Sequence, residues 1–407
     1  MRLFHLTQPF RGLDKRYKVI LAVTGLYNWA ASLPATYLQI YTVQLGANPV
    51  ELGSLSSIGS VASALAAAPA GALMAKHGVR RTLLIGFLVF ALSAFTYAIA
   101  SHWLMLIPAF LLSFIAPSLI FPISDIVIVG VTGQGSRATA MGLSRVAWNA
   151  FSVLAPPVAT AIVVAFGGMT VEGIRPIFLV QLAAALIATF IIAAHMEDLR
   201  LPEARSEEGR KSSLWRSLRW LFTKRKALAW FVAMSAQRFG MGVSMAFLPL
   251  WIVEVRGADP YVIGAMNTAG IAALLLLSLP AGALSDRYGY LRIYAALRTL
   301  LYAGTLLALL VPSREALVAA GGLGIVGLMY GAGFASFIPF ITAFWETPPP
   351  ELRAAWFTAS SIIGGLIAAV APLIGGALWM AGFRDQLLLL ALAVDVAGLA
   401  VVLLGCR

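Results

Sequence analysis

Twelve times along this chain, an apolar run long enough to cross a bilayer gives way to a short polar interruption. The runs lie at roughly 18–41, 52–75, 80–101, 103–129, 138–166, 175–195, 228–252, 260–284, 290–311, 315–344, 351–379 and 384–405. A bilayer core is crossed by ~20 apolar residues of helix. In hydrocarbon only helices and closed barrels satisfy their own backbone. Continuous runs of this length therefore predict an all-α integral membrane protein with twelve transmembrane helices. Composition agrees: 60% of residues are hydrophobic and 11% charged, against about a quarter charged in soluble domains.

The runs fall into two sets of six, and the sets repeat. Pro69-Ala-Gly-Ala-Leu-Met-Ala-Lys-His-Gly-Val-Arg-Arg81 is answered by Pro280-Ala-Gly-Ala-Leu-Ser-Asp-Arg-Tyr-Gly-Tyr-Leu-Arg292. Gly282 matches Gly71, Leu284 matches Leu73, and Gly289 matches Gly78, each copy lying between two apolar runs. An internal repeat of half the chain predicts two pseudo-symmetric six-helix bundles. The divisions are a tail at 1–17, a bundle at 18–195, a polar linker at 196–227 and a second bundle at 228–405. In the linker, Leu214, Trp215, Leu218, Leu221 and Phe222 recur at helical spacing, which predicts an amphipathic helix lying on the membrane surface.

At this repeated turn the sequence resembles the major facilitator superfamily, whose pattern G-x-L-a-D-R-x-G-R-[KR] joins its second and third helices and is echoed between the eighth and ninth. The second copy is the better match, with Gly282, Leu284, Asp286, Arg287, Gly289 and Arg292. The first departs from it, since Ala75 stands at the aspartate position and Lys76 at the arginine. The resemblance implies a gate at the cytoplasmic helix ends. In the second half its members are Asp286, Arg287 and Arg292, with Glu346 at the end of the tenth run. In the first, Asp125 at the end of the fourth run is the remaining acid for Arg80 or Arg81.

A formal charge of +12 does not point to nucleic acid, because the basic residues follow the positive-inside distribution. Of the 29 Lys and Arg, Arg175, Arg256, Arg314 and Arg384 fall in loops on one side, and Arg145, Arg238 and Arg298 fall within apolar runs. The rest lie in the tails, the linker and the alternate loops. This places both termini in the cytoplasm, on a multi-pass protein of the cell membrane. The tail at 1–17 lacks a small-residue cleavage site and reads as retained.

Ionisable residues within a membrane are functional candidates by default. Arg238 stands ~12–15 Å into the seventh run at the helical rise, beside Gln237. The resemblance lines a central cavity with helices one, four, seven and ten, which makes both residues candidate solute contacts. Arg145 shares a helical face with Asn149 on the fifth run. Asn28, Ser32 and Gln39, with Thr24 and Thr36, form a polar stripe along the first run; Asn267 on the eighth is a weaker candidate of the same kind. Arg298 and Asp395 look like a structural pair, since each charge would be prohibitive alone. Glycines crowd the tenth run and predict close helix contact.

The single cysteine, Cys406, and four scattered histidines offer no metal cluster or disulfide. No phosphate-binding G-x-x-x-x-G-K-[ST] loop is present, no acid–base pair lies at depth, and no cofactor is implied. The expected function is secondary active transport of a small solute by alternating access, not catalysis, with a monomer sufficient and a coupling proton or ion left open. An exporter of small amphipathic compounds or sugars is the first reading. An organic-anion carrier using the buried arginines, or a transport-inactive sensor, are the alternatives.

Overall fold

The computed structural model describes residues 14–131, 144, 147–196, 223–349 and 352–406. Arg145, most of the tail and the amphipathic stretch of the linker lie outside these. The described residues are helical almost throughout. In order, the helices are α1 (Lys15–Ser32), α2 (Tyr37–Gln44), α3 (Pro49–Ile99), α4 (Leu106–Val131), α5 (Ala147–Ala165), α6 (Val171–His195) and α7 (Arg225–Met245). They continue as α8 (Leu248–Val255), α9 (Pro260–Tyr288), α10 (Tyr290–Leu310), α11 (Arg314–Leu323), α12 (Phe337–Glu346), α13 (Arg353–Met380) and α14 (Arg384–Gly405).

Among the described residues, eight helical segments are long and apolar enough to cross a membrane, and two bent pairs raise the number to ten. The limb of α3 before Gly78 and the interrupted stretch from α11 to α12 supply two more, consistent with twelve. The bent pairs are pseudo-symmetric. α1 and α2 meet at 48° across Pro34, and α7 and α8 meet at 46° before Pro249. Proline lacks the N–H that would continue the ladder, so each bend is local.

The repeated turns owe their shape to two glycines. Gly78 (φ 78°) breaks α3 into two limbs, and Gly289 (φ 91°) separates α9 from α10. Side chains rarely adopt such backbone, so both motif copies reverse the chain without a loop. Helix starts are capped as the sequence permits. Asn48 accepts from the Glu51 N–H at 3.0 Å while the Glu51 carboxylate accepts from the Asn48 N–H at 2.7 Å, a reciprocal capping box. Asp259 caps α9 through the Val262 N–H at 3.0 Å.

The tenth run corrects an expectation. It is not one helix. α11 ends at Leu323, irregular backbone follows, and a 3-10 turn at Ala332–Ser336 leads into α12. Gly324, Gly327 and Gly331 all take φ near 104°, so part of the glycine density exists to unwind the chain. The close contact expected of these glycines is also present. A side chain at Gly331 would collide with the backbone of Gly324, and one at Gly333 with the backbone of Leu301.

Among the described residues three large apolar clusters organise the interior, beside a smaller one about Leu301 and Leu392. One gathers α3, α4 and α6 about Tyr27, Phe87 and Ile120 in the first half; another gathers α7, α12 and α13 about Trp230, Phe340 and Trp356 in the second. The largest belongs to both halves. It joins Tyr37, Tyr41 and Phe178 to Phe247, Trp251 and Met266 at the end of the bundle away from the termini. Large apolar side chains such as Leu65, Phe190, Leu276 and Leu310 point outward, as a lipid-facing surface requires.

Arg298 and Asp395 are paired, with side chains 7% and 2% exposed. Arg298 also reaches the Ser336 hydroxyl at 3.4 Å, tying α10 to α14 and to the unwound stretch. Breaking a buried pair strands a charge and costs about 3–5 kcal/mol, whereas an apolar replacement of both partners is often neutral. Asp395→Asn is therefore expected to lower thermal stability and monodisperse yield sharply. Arg298→Met combined with Asp395→Leu should recover most of that loss, measured by size exclusion and thermal unfolding.

Candidate solute site and gates

The polar stripe of α1 is partly self-satisfied. Asn28 Nδ2 donates to the Thr24 carbonyl at 2.9 Å, and Ser32 Oγ to the Asn28 carbonyl at 2.7 Å. Both residues are half-buried, as is Gln39, whose Oε1 is enclosed without a hydrogen-bond partner. Tyr27, adjacent in sequence, turns away into the first-half core against Phe87, Phe90 and Phe121. On α5, Asn149 is exposed, while Trp148 is buried against Phe121.

Gln237 and Arg238 are neighbours with different surroundings, because one residue is about 100° around a helix. Gln237 is buried and donates to the Tyr294 hydroxyl on α10 at 2.7 Å. Its amide is thus committed between helices. Arg238 is exposed, about 200° around the helix from Gly240, which packs on the backbone of α14. The guanidinium lies over Gly364 of α13, where an added Cβ would come within 2.8 Å of Arg238 Cδ and Nε. Gly364 therefore makes the space this side chain occupies. Arg238 forms no ion pair among the described residues.

Asn267 sits in a contact between the halves. It is buried, its Nδ2 donates to Thr36 Oγ1 at 2.6 Å, and its Oδ1 accepts from the Tyr330 hydroxyl. Residues from the first, eighth and tenth runs are thereby joined. Beside them the Tyr37 and Thr160 hydroxyls lie 3.1 Å apart, and both reach the Pro260 carbonyl, at 3.4 and 3.2 Å. Small residues bring the remaining helices together at the same end. Cβ atoms at Gly53 and Gly376 would come within 2.5 Å of the Pro372 carbonyl oxygen and 2.8 Å of the Pro49 carbonyl oxygen. The composition of this uncharged latch was not apparent from sequence. Tyr330, a hydroxyl amid glycines, carried a weak signal; Thr160 carried none.

At the opposite end, the motif residues are arranged otherwise than as a charge lock. Asp286 on α9 and Glu346 on α12 both lie near Tyr290. Arg287 lies 5.2 Å from the centroid of the Tyr288 ring, and Arg292 is exposed. Gly282 is half-buried with open space around it. In the first half, Arg80 donates to the Ala193 carbonyl at the end of α6 rather than to Asp125, and Arg81 is exposed. The Arg80 bond has a simple cause: the last carbonyls of a helix lack partners and favour a cation. Gly71 lies within the first limb of α3. Among the described residues no cluster of His, Cys, Asp and Glu could hold a metal.

The latch makes a direct prediction. In a Cys406→Ser background carrying Ser32→Cys, a membrane-impermeant maleimide added on the side away from the termini should react slowly. Adding Tyr330→Phe removes one hydrogen bond, worth about 1 kcal/mol, and the labelling rate should rise about fivefold.

Comparison with known proteins agrees with this architecture. No curated protein matches the sequence. Among solved structures, a variant of the nucleoside transporter NupG superposes with a TM-score of 0.78 at 13% identity, over 97% of this chain and 100% of that one. A bacterial homologue of the human lysosomal transporter Spinster, in an inward-facing and unoccupied conformation, gives 0.71 at 14% identity, over 96% of each chain. At such identities the likeness is one of fold. The sequence model of the Major Facilitator Superfamily matches residues 19–372. With that match running through both halves of a helical membrane protein, the chain belongs to the Major Facilitator Superfamily of transporters.

Proposed function

We propose that this protein is a secondary active transporter that carries a small organic anion by alternating access, with Arg238 as the contact for the anionic group. The observation that carries the solute class is the fate of the membrane arginines. Arg298 is neutralised by Asp395 and buried, whereas Arg238 is exposed over Gly364 without a carboxylate partner among the described residues. A guanidinium at that depth is stabilised by an opposite charge, and a solute anion supplies one. Asn28, Ser32, Gln39 and Asn149 give hydrogen-bonding groups on the first half, and Arg145 is proposed as a second cation there. Gln237 acts through Tyr294 to hold α7 in register.

The transport cycle rests on the distribution of contacts between the halves. The latch of Thr36, Asn267 and Tyr330, the Tyr37–Thr160 pair and the shared apolar cluster all lie away from the termini. If the termini are cytoplasmic, as the basic residues direct, this is a state closed to the outside. Asp286 and Glu346, near Tyr290, would then engage the arginines of the motif when that end closes. A ligand shifts such an equilibrium by its differential affinity for the two states.

Proteoliposome transport tests the assignment. With aliphatic and aromatic carboxylates beside neutral sugars and amphipathic amines, saturable movement is expected for the anions. Charge-assisted hydrogen bonds are worth about 1.5–3 kcal/mol, so Arg238→Gln should raise the anion KM by ~10-fold or more. Transport of neutral compounds that is unaffected by Arg238→Gln would return this arginine to a structural role and favour the exporter of amphipathic compounds or sugars. Binding without movement of any solute would favour a sensor.

A further inference from the structure

The surface of the second half carries an unassigned groove between α7 and α14, at the end of the bundle that bears the termini. It has a volume of about 300 Å³ and is lined by Leu228, Ala229, Val232, Val401 and Leu404, with Arg225 as its charged member. Gly405 shapes it: a Cβ there would meet the Ala229 side chain at 2.5 Å, so the two helices close the inner end tightly. Val232, Val401 and Leu404 are 38%, 38% and 59% exposed, and the groove opens sideways toward lipid rather than into the interior. From Arg225 to Val232 it reaches ~10 Å along the helix axis.

The groove's charged member is held in place. Lys224, Arg225 and Lys226 are consecutive and exposed. Arg225 Nη2 donates to the Leu404 carbonyl at 3.1 Å, which fixes the guanidinium over the groove and leaves its other N–H donors free to bind an anion. Among the described residues none of the three forms an ion pair. An apolar channel open to hydrocarbon, with Arg225 on its lining and the exposed Lys224 and Lys226 on either side of it in sequence, matches the two parts of an anionic phospholipid. Basic pockets between transmembrane helices bind such head groups.

We propose that this groove is a binding site for an anionic phospholipid, one acyl chain lying between α7 and α14 and the phosphate held by Lys224, Arg225 and Lys226. Native mass spectrometry of the full-length protein tests it, after incubation with equimolar dioleoyl phosphatidylglycerol and dioleoyl phosphatidylcholine. The wild type should retain the phosphatidylglycerol in preference. Each cation removed should reduce that retention about fivefold, the factor a basic residue contributes near an anionic surface. Lys224→Gln with Lys226→Gln leaves the Arg225 bond to α14 intact and tests charge alone. Val232→Trp fills the groove from its lipid side and should abolish retention while the protein stays monodisperse. Equal retention of the two lipids would overturn the proposal. So would a phosphatidylglycerol preference that survives both variants, which would place the selective site elsewhere on the protein.

Discussion

Everything in this fold answers to one constraint: hydrocarbon offers no hydrogen bonds, so each backbone group at membrane depth must find its partner within the protein. Helices meet that demand by themselves. The unwound stretch after α11 cannot, and neighbouring helices meet it instead. Val326 N–H donates to Thr305 Oγ1 and Gly331 N–H to the Gly270 carbonyl, each at 3.0 Å. Those bonds tie the irregular segment to α10 and α9. The contact that closes the bundle, Tyr330 to Asn267 to Thr36, is mounted on this segment.

Charge obeys the same constraint with larger stakes. Arg298 and Asp395 cancel each other in the protein interior, where a lone ion would be prohibitive. The arginines near helix ends turn to carbonyls that lack helical partners: Arg80 to Ala193, Arg175 to Ala100, Arg225 to Leu404 and Arg256 to Leu309. These cations close the ends of α6, α3, α14 and α10. Their shared behaviour explains why basic residues beside a motif are poor guides to a gate. An open helix end is always available to them.

Much of the fold was legible in the sequence because it rests on composition. Span length and the glycines of the repeated turn each follow from a local rule, and the Arg298–Asp395 pair follows from the expense of a lone charge. The site was less legible. Depth along a helix can be counted, and the count sets Gln237 and Arg238 at one height. Facing cannot be counted without knowing the neighbours, and Gln237 turned out to serve Tyr294. Asn267 and Thr36 are far apart in sequence and touch only because the halves meet at that end. No local pattern records such a contact. The glycines of the tenth run carried two meanings, close packing and unwinding, and both are present.

The break in the tenth run has a mechanical consequence. Its counterpart in the first half, α4, stays one helix through Pro117 and Pro122, whereas α11 and α12 are joined by backbone with few regular bonds. The two halves are therefore unequal in stiffness despite their shared ancestry in sequence. A displacement at one end of α4 is carried to the other, but at Gly324–Gly331 it can be absorbed. The second half can thus loosen Tyr330 at one end while α12 keeps its packing against Trp230 at the other.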